Sequence, residues 1–412
     1  MTGTSRFNYG WVVVASGALI TSVAMGAVFA LPVYLQPIAT DTGWSVAGIS
    51  LAMTIAFIAM GIAGFGWGAL SDRIGPRPVI LAATALLSLG LLGASLTSNL
   101  AAFQLAYGAL VGASGGAFFA PLMAATVGWF DKHRGLAVSL VSLGTGIAPM
   151  VVTPLASFTI EQIGWRSTMF YTAIIAAVLL VPAALLVRRA PDADAPVPSG
   201  TLAAGPRPAS ALAALRTPQF IVLAVTFMFC CAAHSGPIFH TVSYAMLCGA
   251  APLAAAAIYS VEGVAGLFGR VLFGVLADRL GVRRVILAGL ALQAVGIYLY
   301  IYVTELPHFY ALALVLGLVY GGVMPLYTVL ARDYFSQRVL GTVLGGTILF
   351  SSLGMSIGPV AGGWLYDTFG TYHWLYIASA ALGVAAAAMA LVFPAPRGPD
   401  GVREPLPEAQ PA

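Results

Sequence analysis

The chain has 412 residues, of which 60% are apolar and only 8% charged, with a net charge of +4 and a mean hydropathy of +0.94. That composition excludes a water-soluble globular protein, because too few charged side chains remain to cover a surface of this size. The small positive balance needs no nucleic-acid partner.

Where lipid is the solvent, backbone polar groups pair within their own segment, so long apolar runs are helices, and the alternation expected of strands is absent. Twelve runs are long enough to cross a bilayer, at residues 11–36, 46–70, 78–97, 101–129, 135–160, 166–187, 217–247, 251–276, 284–304, 307–334, 340–366 and 372–393. The first is too long for a signal-peptide core and has no cleavage site after it, which makes it a mature helix. Between the sixth and seventh runs lies a polar segment from Arg188 to Arg216, rich in Pro, Ala, Gly and Asp, that reads as a flexible linker. The expected organisation is an N-terminal bundle of six helices over residues 1–187, a linker over 188–216, a second bundle of six over 217–396 and a tail over 397–412.

Two loops repeat one pattern about 206 residues apart. They are Gly68-Ala69-Leu70-Ser71-Asp72-Arg73-Ile74-Gly75-Pro76-Arg77 and Gly274-Val275-Leu276-Ala277-Asp278-Arg279-Leu280-Gly281-Val282-Arg283. Of the 18 Lys and Arg, 16 fall on the face that carries these loops, the termini and the linker, and Arg166 alone falls on the opposite face. Positive charge marks the cytoplasmic side, so a multi-pass cell-membrane protein with both termini cytoplasmic is expected, its basic clusters near lipid headgroups.

The remaining cation, Arg270, lies inside the eighth run together with Glu262. A charge at membrane depth costs about 2.5 to 3.5 kcal/mol on insertion scales, so it faces a partner or an aqueous cavity. The planar fork of an arginine matches a carboxylate, which makes a substrate carboxylate one counter-ion for Arg270 and Glu262 the other. Glu262 and Arg270 are eight residues apart, about 12 Å along a straight helix and about 80° around it, which disfavours direct pairing. For Glu262 three roles stand: a proton carrier, a gate, or a side chain in outer water.

The loop pattern resembles the signature G-x-L-x-D-R-x-G-x-R of the major facilitator superfamily, between the second and third helices of each half. That resemblance implies an all-α membrane protein of twelve transmembrane helices in two six-helix bundles, with Asp72, Arg73, Arg77, Asp278, Arg279 and Arg283 as a gating motif. Trp129-Phe130-Asp131-Lys132-His133-Arg134-Gly135-Leu136-Ala137, continuing to Gly144, resembles the fifth-helix signature of the monocarboxylate transporter family. Tyr9-Gly10-Trp11-Val12-Val13-Val14 is similar to the end of its first-helix signature, and Gly269-Arg270-Val271-Leu272-Phe273-Gly274 to the place of its carboxylate-binding arginine. The related bacterial oxalate:formate antiporters keep an arginine there too.

Departures accompany the matches. Gly266 stands where mammalian members carry an Asp one turn before the arginine, and no lysine lies between Tyr9 and Ile38. The oxalate transporters carry a second cation in the eleventh helix, where this chain has Phe350, Ser351 and Ser352. One fixed positive charge suits one carboxylate. By resemblance, Tyr320 faces the central cavity beside Arg270, and Phe29 and Phe119 form apolar walls; helix packing is the alternative for each.

His234 and His240 flank Ser235-Gly236-Pro237, where a kink is expected, and are either proton carriers or neutral hydrogen-bonded residues. His133, His308 and His373 read as solvated. Cys230, Cys231 and Cys248 have no framework or metal spacing and read as small apolar side chains. Gly354-Met355-Ser356-Ile357-Gly358-Pro359-Val360-Ala361-Gly362-Gly363 resembles a motif of drug:proton antiporters, with a weaker counterpart from Gly144 to Pro149. Small-residue packing explains both runs as well.

No G-x-x-x-x-G-K-S/T loop and no catalytic constellation is present, so neither an enzyme, a cofactor nor a metal is expected. The resemblance implies a secondary transporter of a small monocarboxylate, lactate-like or pyruvate-like, coupled to a proton and working by alternating access, with the bilayer as its other partner. An organic-anion exchanger, a drug:proton antiporter and a transporter-like receptor are the alternatives.

Overall fold

The structure is a computed structural model that describes residues 9–130, 134–188, 214–335 and 337–394. Most of the linker, the tail beyond residue 394 and Asp131, Lys132 and His133 of the fifth-helix signature lie outside the described residues.

Among the described residues ten helices are long and apolar enough to cross a membrane. One of them, Leu140–Leu186, has 47 residues, about 70 Å at 1.5 Å per residue, more than twice a hydrocarbon core. It belongs to the continuous element Arg134–Leu186, which breaks at Gly164, where φ is 77°, and so holds the fifth and sixth spans. The fourth span is present in pieces: Leu100–Phe103, a π-helical stretch Gln104–Val111, Gly112–Gly115 and Ala120–Gly128. The first is Gly10–Val28 followed by Leu31–Thr42, and Val46–Ile74 and Pro76–Leu96 are the second and third. Pro218–Leu247 and Pro252–Leu280 are the seventh and eighth, and Val282–Leu299 with the turn Tyr300–Tyr302 is the ninth. Leu306–Tyr334, Gln337–Phe369 and His373–Leu391 complete the twelve.

The helices start where side chains or proline settle their free amides. Ser45 accepts from Gly48 N at 3.0 Å, and Asn99 accepts from Ala102 N at 2.8 Å. Pro76, Pro218 and Pro252 open their spans at positions where no amide hydrogen is needed.

Glycine stripes set the packing inside each half. Gly108, Gly112 and Gly116 of the fourth span meet Ala52, Ala56 and Met60 backbone atoms of the second. In the other half Gly317 and Gly321 of the tenth span meet the backbones of Glu262 and Gly266 of the eighth, so a side chain on either glycine would collide. The glycine-rich run of the eleventh span packs against the seventh in the same manner, with Gly358 against Ser235 and Gly236.

The repeated loops also share their geometry. Gly75 has φ 89° and Gly281 φ 87°, a region that favours glycine, and each turns the chain from one span into the next. Two residues later the motif arginine reaches the last span of its own half. Arg77 donates to the carbonyls of Leu185 and Val187, and Arg283 donates to the carbonyl of Phe393. A cation on the free carbonyls of a helix end is favourable for both hydrogen bonding and the helix dipole. On the opposite face Arg166 donates to the carbonyls of Ser95 and Thr97 at 3.1 and 2.6 Å and lies 4.2 Å from the Trp165 ring centroid.

The halves meet from mid-depth towards the face opposite the loop motifs. Thr54 donates to the Ser356 carbonyl at 2.6 Å, Ser260 donates to the Met150 carbonyl at 2.9 Å, and Asp367 accepts from Ala47 N at 2.8 Å. Phe239 of the seventh span joins the N-terminal core cluster, so apolar contact reinforces the same join.

Candidate functional site

Between the halves lies a cavity of about 280 Å³. Its N-terminal wall includes Phe29, Met53, Phe57 and Thr145, and its C-terminal wall Phe239, Tyr259, Glu262, Arg270, Tyr320 and Met355. Arg270 and Glu262 are the charged residues among its lining. Gly266 also lines it, and a Cβ there would lie 3.5 Å from the Gly317 carbonyl oxygen of the tenth span.

Access is graded from the eighth span to the seventh. The Arg270 residue is exposed, the Glu262 side chain is 15% exposed, and His234 behind it is 1% exposed. Among the described residues no carboxylate pairs with the Arg270 guanidinium. Glu262 turns instead to the seventh span, where its Oε1 is 3.0 Å from His234 Nε2. The two atoms are at ion-pair distance but off the directions of a well-formed hydrogen bond, and both ring nitrogens of His234 lack any other partner among the described residues. The His234 ring lies flat on Tyr320, centroids 3.7 Å apart and planes 11° from parallel. The structural pair Arg270 with Glu262 is thus replaced by Glu262 with His234.

Other expected site residues separate into two groups. Tyr320 and Phe29 line the cavity, Phe29 packing on Phe57 at 5.8 Å. The Tyr320 hydroxyl, however, is 3.9 Å from Met355 Sδ and not on Arg270. Phe119 is 42% exposed and outside the lining, at the break between pieces of the fourth span. Phe350 packs edge-on to Phe220 at 6.1 Å, Ser351 donates to its own helix at the Ile348 carbonyl, and buried Ser352 sits against Gly61 of the second span. Those three residues serve helix contacts in this arrangement because successive positions on a helix point about 100° apart.

His240 is fully buried, with Nε2 2.9 Å from the Pro359 carbonyl and Nδ1 3.3 Å from the Tyr372 hydroxyl. A carbonyl only accepts, so Nε2 carries the hydrogen and Nδ1 accepts from the tyrosine, which satisfies the neutral ring completely. His308 is paired with Glu305 at 3.8 Å in an exposed turn. Of the loop motif, Arg73, Asp278 and Arg279 are exposed, Arg77 and Arg283 hold helix ends, and the Asp72 side chain lies outside the description.

Sequence reasoning missed Tyr259, Met53, Phe57 and Phe239 as cavity walls and missed the contact between His234 and Glu262. The available clue was depth: both residues lie near the middle of adjacent antiparallel spans. No cluster of His, Cys, Asp and Glu suited to a metal ion occurs among the described residues.

The model of the Major Facilitator Superfamily matches residues 17–280 and 248–411. Monocarboxylate transporter 13 of Bos taurus is 26% identical over 392 residues, covering 94% of this chain and 90% of the relative. Monocarboxylate transporter 11 of Mus musculus is 28% identical, covering 89% and 83%. The uncharacterized MFS-type transporter YhjX of Escherichia coli (strain K12) is 26% identical, covering 84% of each. Among solved structures, an inward-facing, unoccupied bacterial homolog of the human lysosomal transporter Spinster superposes with a TM-score of 0.78 at 16% identity, covering 95% of this chain and 98% of that one. A point mutant of the nucleoside transporter NupG gives 0.76 at 11% identity, covering 94% and 100%. With twelve spans, paired loop motifs and a family match over both halves, the chain belongs to the Major Facilitator Superfamily of membrane transporters.

Proposed function

We propose that the protein is a secondary transporter of a small monocarboxylate, lactate-like or pyruvate-like, moved together with a proton by alternating access. The observation that carries this reading is Arg270: a fixed cation in the cavity between the halves, exposed there, with no protein carboxylate beside it among the described residues. A substrate carboxylate would complete its charge and fill its planar fork. The relatives named monocarboxylate transporters support the same substrate class.

Charge counting supports the proton. With Glu262 as carboxylate, the empty cavity holds one positive and one negative group. A monocarboxylate alone adds a negative charge and a proton alone adds a positive one, whereas both together restore neutrality. An unbalanced charge at membrane depth costs about 2.5 to 3.5 kcal/mol on insertion scales, enough to hold back rocking of a half-loaded protein. Neutrality therefore favours movement of the empty and the doubly loaded forms. The joins between the halves run from mid-depth to the face opposite the loop motifs, which supports a reading in which the cavity opens towards the motif face, the face that positive charge marks as cytoplasmic.

The test is uptake of labelled lactate and pyruvate into liposomes holding the purified protein, driven by a pH gradient. Wild type accumulates at least one of them; folded Arg270→Ala loses at least about 30-fold in affinity, as expected for removing one partner of a charge pair that the docked carboxylate completes and closure of the halves buries. Arg270→Lys also fails largely, because a point charge lacks the fork. Near-normal uptake by Arg270→Ala rejects the assignment.

A further inference from the structure

We propose that His234 and Glu262 form one proton-binding unit, with Glu262 meeting cavity water and His234 sealed behind it as the second station. This rests on the carboxylate-transport reading above and names the machinery of its proton. Three observations converge. Glu262 Oε1 stands 3.0 Å from His234 Nε2 across two spans, and the two side chains are 15% and 1% exposed. Both ring nitrogens lack any other partner among the described residues, unlike those of His240, which are fully engaged. Tyr320 covers the imidazole face and also lines the cavity, so it separates His234 from the substrate space while leaving Glu262 in it.

The chemistry follows from that layering. A proton arriving from cavity water adds to the Glu262 carboxylate, and a small rotation of that carboxyl group, which aligns the 3.0 Å contact, lets it pass to the unprotonated ring nitrogen of a neutral imidazole. The result is an imidazolium and a carboxylate side by side. No bond other than the transferred hydrogen's is made or broken, and the unit gains one positive charge in all. A carboxylic acid alone would have to carry that proton as a neutral group, whereas the pair spreads it over two sites in contact. His234 holds the proton through its contact with Glu262 and does not touch the carboxylate substrate.

Groups around the unit are compatible with a single proton. The eighth span contributes Tyr259 and Arg270, the tenth Tyr320, and the ninth-span end Tyr300, while the seventh span itself adds the thiols of Cys230 and Cys231. Tyr366, Tyr372 and Tyr376, from the eleventh span and the segment of the twelfth, gather instead around His240 and Thr241. Among the described residues, no second carboxylate or further histidine joins the pair.

The experiment measures the dissociation constant of lactate for the full-length protein in detergent between pH 5.5 and 8.5. Binding linked to one proton weakens tenfold per pH unit above the unit's titration. Wild type should show that slope; His234→Gln and Glu262→Gln should each flatten it to near zero, and the double variant should add nothing. At the acidic end Glu262→Gln, whose neutral side chain imitates the protonated unit, should bind nearly as wild type does, whereas His234→Gln, left with an unprotonated carboxylate, should bind as weakly as wild type does at the alkaline end. A flat wild-type profile, or a full slope in folded His234→Gln, overturns the proposal. Loss of lactate binding at every pH in wild type would instead reject the carboxylate reading itself. Should His234→Gln fail to fold, ¹⁵N-histidine spectra of wild type and Glu262→Gln decide: the His234 ring nitrogens must titrate in the interval of the slope and must lose that titration in Glu262→Gln. Ring nitrogens that do not move through the interval also overturn it.

Discussion

Asp367 and Ala47 tie the two halves together across 320 residues of sequence, the Asp367 carboxylate accepting from the Ala47 amide at 2.8 Å and from Val46 N at 3.2 Å. Asp367 ends the eleventh span, and Val46 and Ala47 begin the second, so a carboxylate of one half sits on the positive end of a helix in the other. Gly363, one turn earlier, allows the approach, because a Cβ there would fall 2.6 Å from Ala47 Cα. A contact between halves at one face only must break when that face opens.

Asp367→Asn keeps the shape and removes the charge, and Asp367→Ala removes the acceptor. Both are expected to raise the population open on the face opposite the loop motifs, by about 2- to 30-fold for an interaction of about 0.5 to 2 kcal/mol. Spin-label distances between the exposed positions 40 and 368 in liposomes report it. Distributions identical to wild type in both variants would show that the latch contributes nothing to closure.

The loop glycines make a symmetric prediction. Gly75 and Gly281 hold φ values of 89° and 87°, which an L side chain adopts only with strain, costing about 1 to 3 kcal/mol. Gly75→Ala and Gly281→Ala should each lower thermal stability in detergent by a similar amount. Arg77→Ala and Arg283→Ala should do likewise, since each uncaps the carbonyl end of a span. A stable Gly281→Ala beside an unstable Gly75→Ala would break the equivalence of the two loops.

Much of this architecture is legible in the residues alone, for physical reasons that also mark where legibility ends. Apolar length fixes spans such as Pro252–Leu280, and an arginine inside one is conspicuous, which is why Arg270 stands out without any structure. The π-helical stretch Gln104–Val111 leaves no comparable trace, because nothing in its composition distinguishes it from an ordinary apolar turn. Contacts between spans are harder still. Glu262 and His234 meet only because the seventh and eighth spans are antiparallel at a particular rotation, and linear distance from Arg270 says nothing of that. Phe350, Ser351 and Ser352 carry a warning of their own: three successive helical residues cannot share one cavity face, and the structure sends them to three different surroundings.

Tyr320 separates two roles that resemblance joins. Its ring stacks on His234, while its hydroxyl is turned to Met355. Tyr320→Phe should therefore bind lactate within about threefold of wild type, and Tyr320→Ala should bind more weakly and melt earlier by losing a stacked pair of about 0.5 to 1.5 kcal/mol. A loss beyond about tenfold in Tyr320→Phe would be the size of a missing hydrogen bond to a charged group and would return the hydroxyl to the substrate.

Charge selectivity follows from the lining of the cavity. Arg270 is its one cationic lining residue among the described residues, and the eleventh span contributes Met355 to it where a second cation would be needed for a dicarboxylate. At neutral pH lactate and pyruvate should compete for labelled substrate, and oxalate should compete poorly, because its second carboxylate would enter an apolar wall without a partner. Met355→Lys supplies that partner at the proper wall. It should raise oxalate competition relative to lactate by about 10-fold or more, the scale of a hydrogen bond between charged groups at about 1.5 to 3 kcal/mol. The comparison needs both acids fully ionised, so that one charge is set against two, and it needs Met355→Leu as a control for lost shape. Oxalate competing better than lactate in the wild type would overturn the single-cation reading, and an unchanged ratio in folded Met355→Lys would show that the eleventh span does not face the substrate.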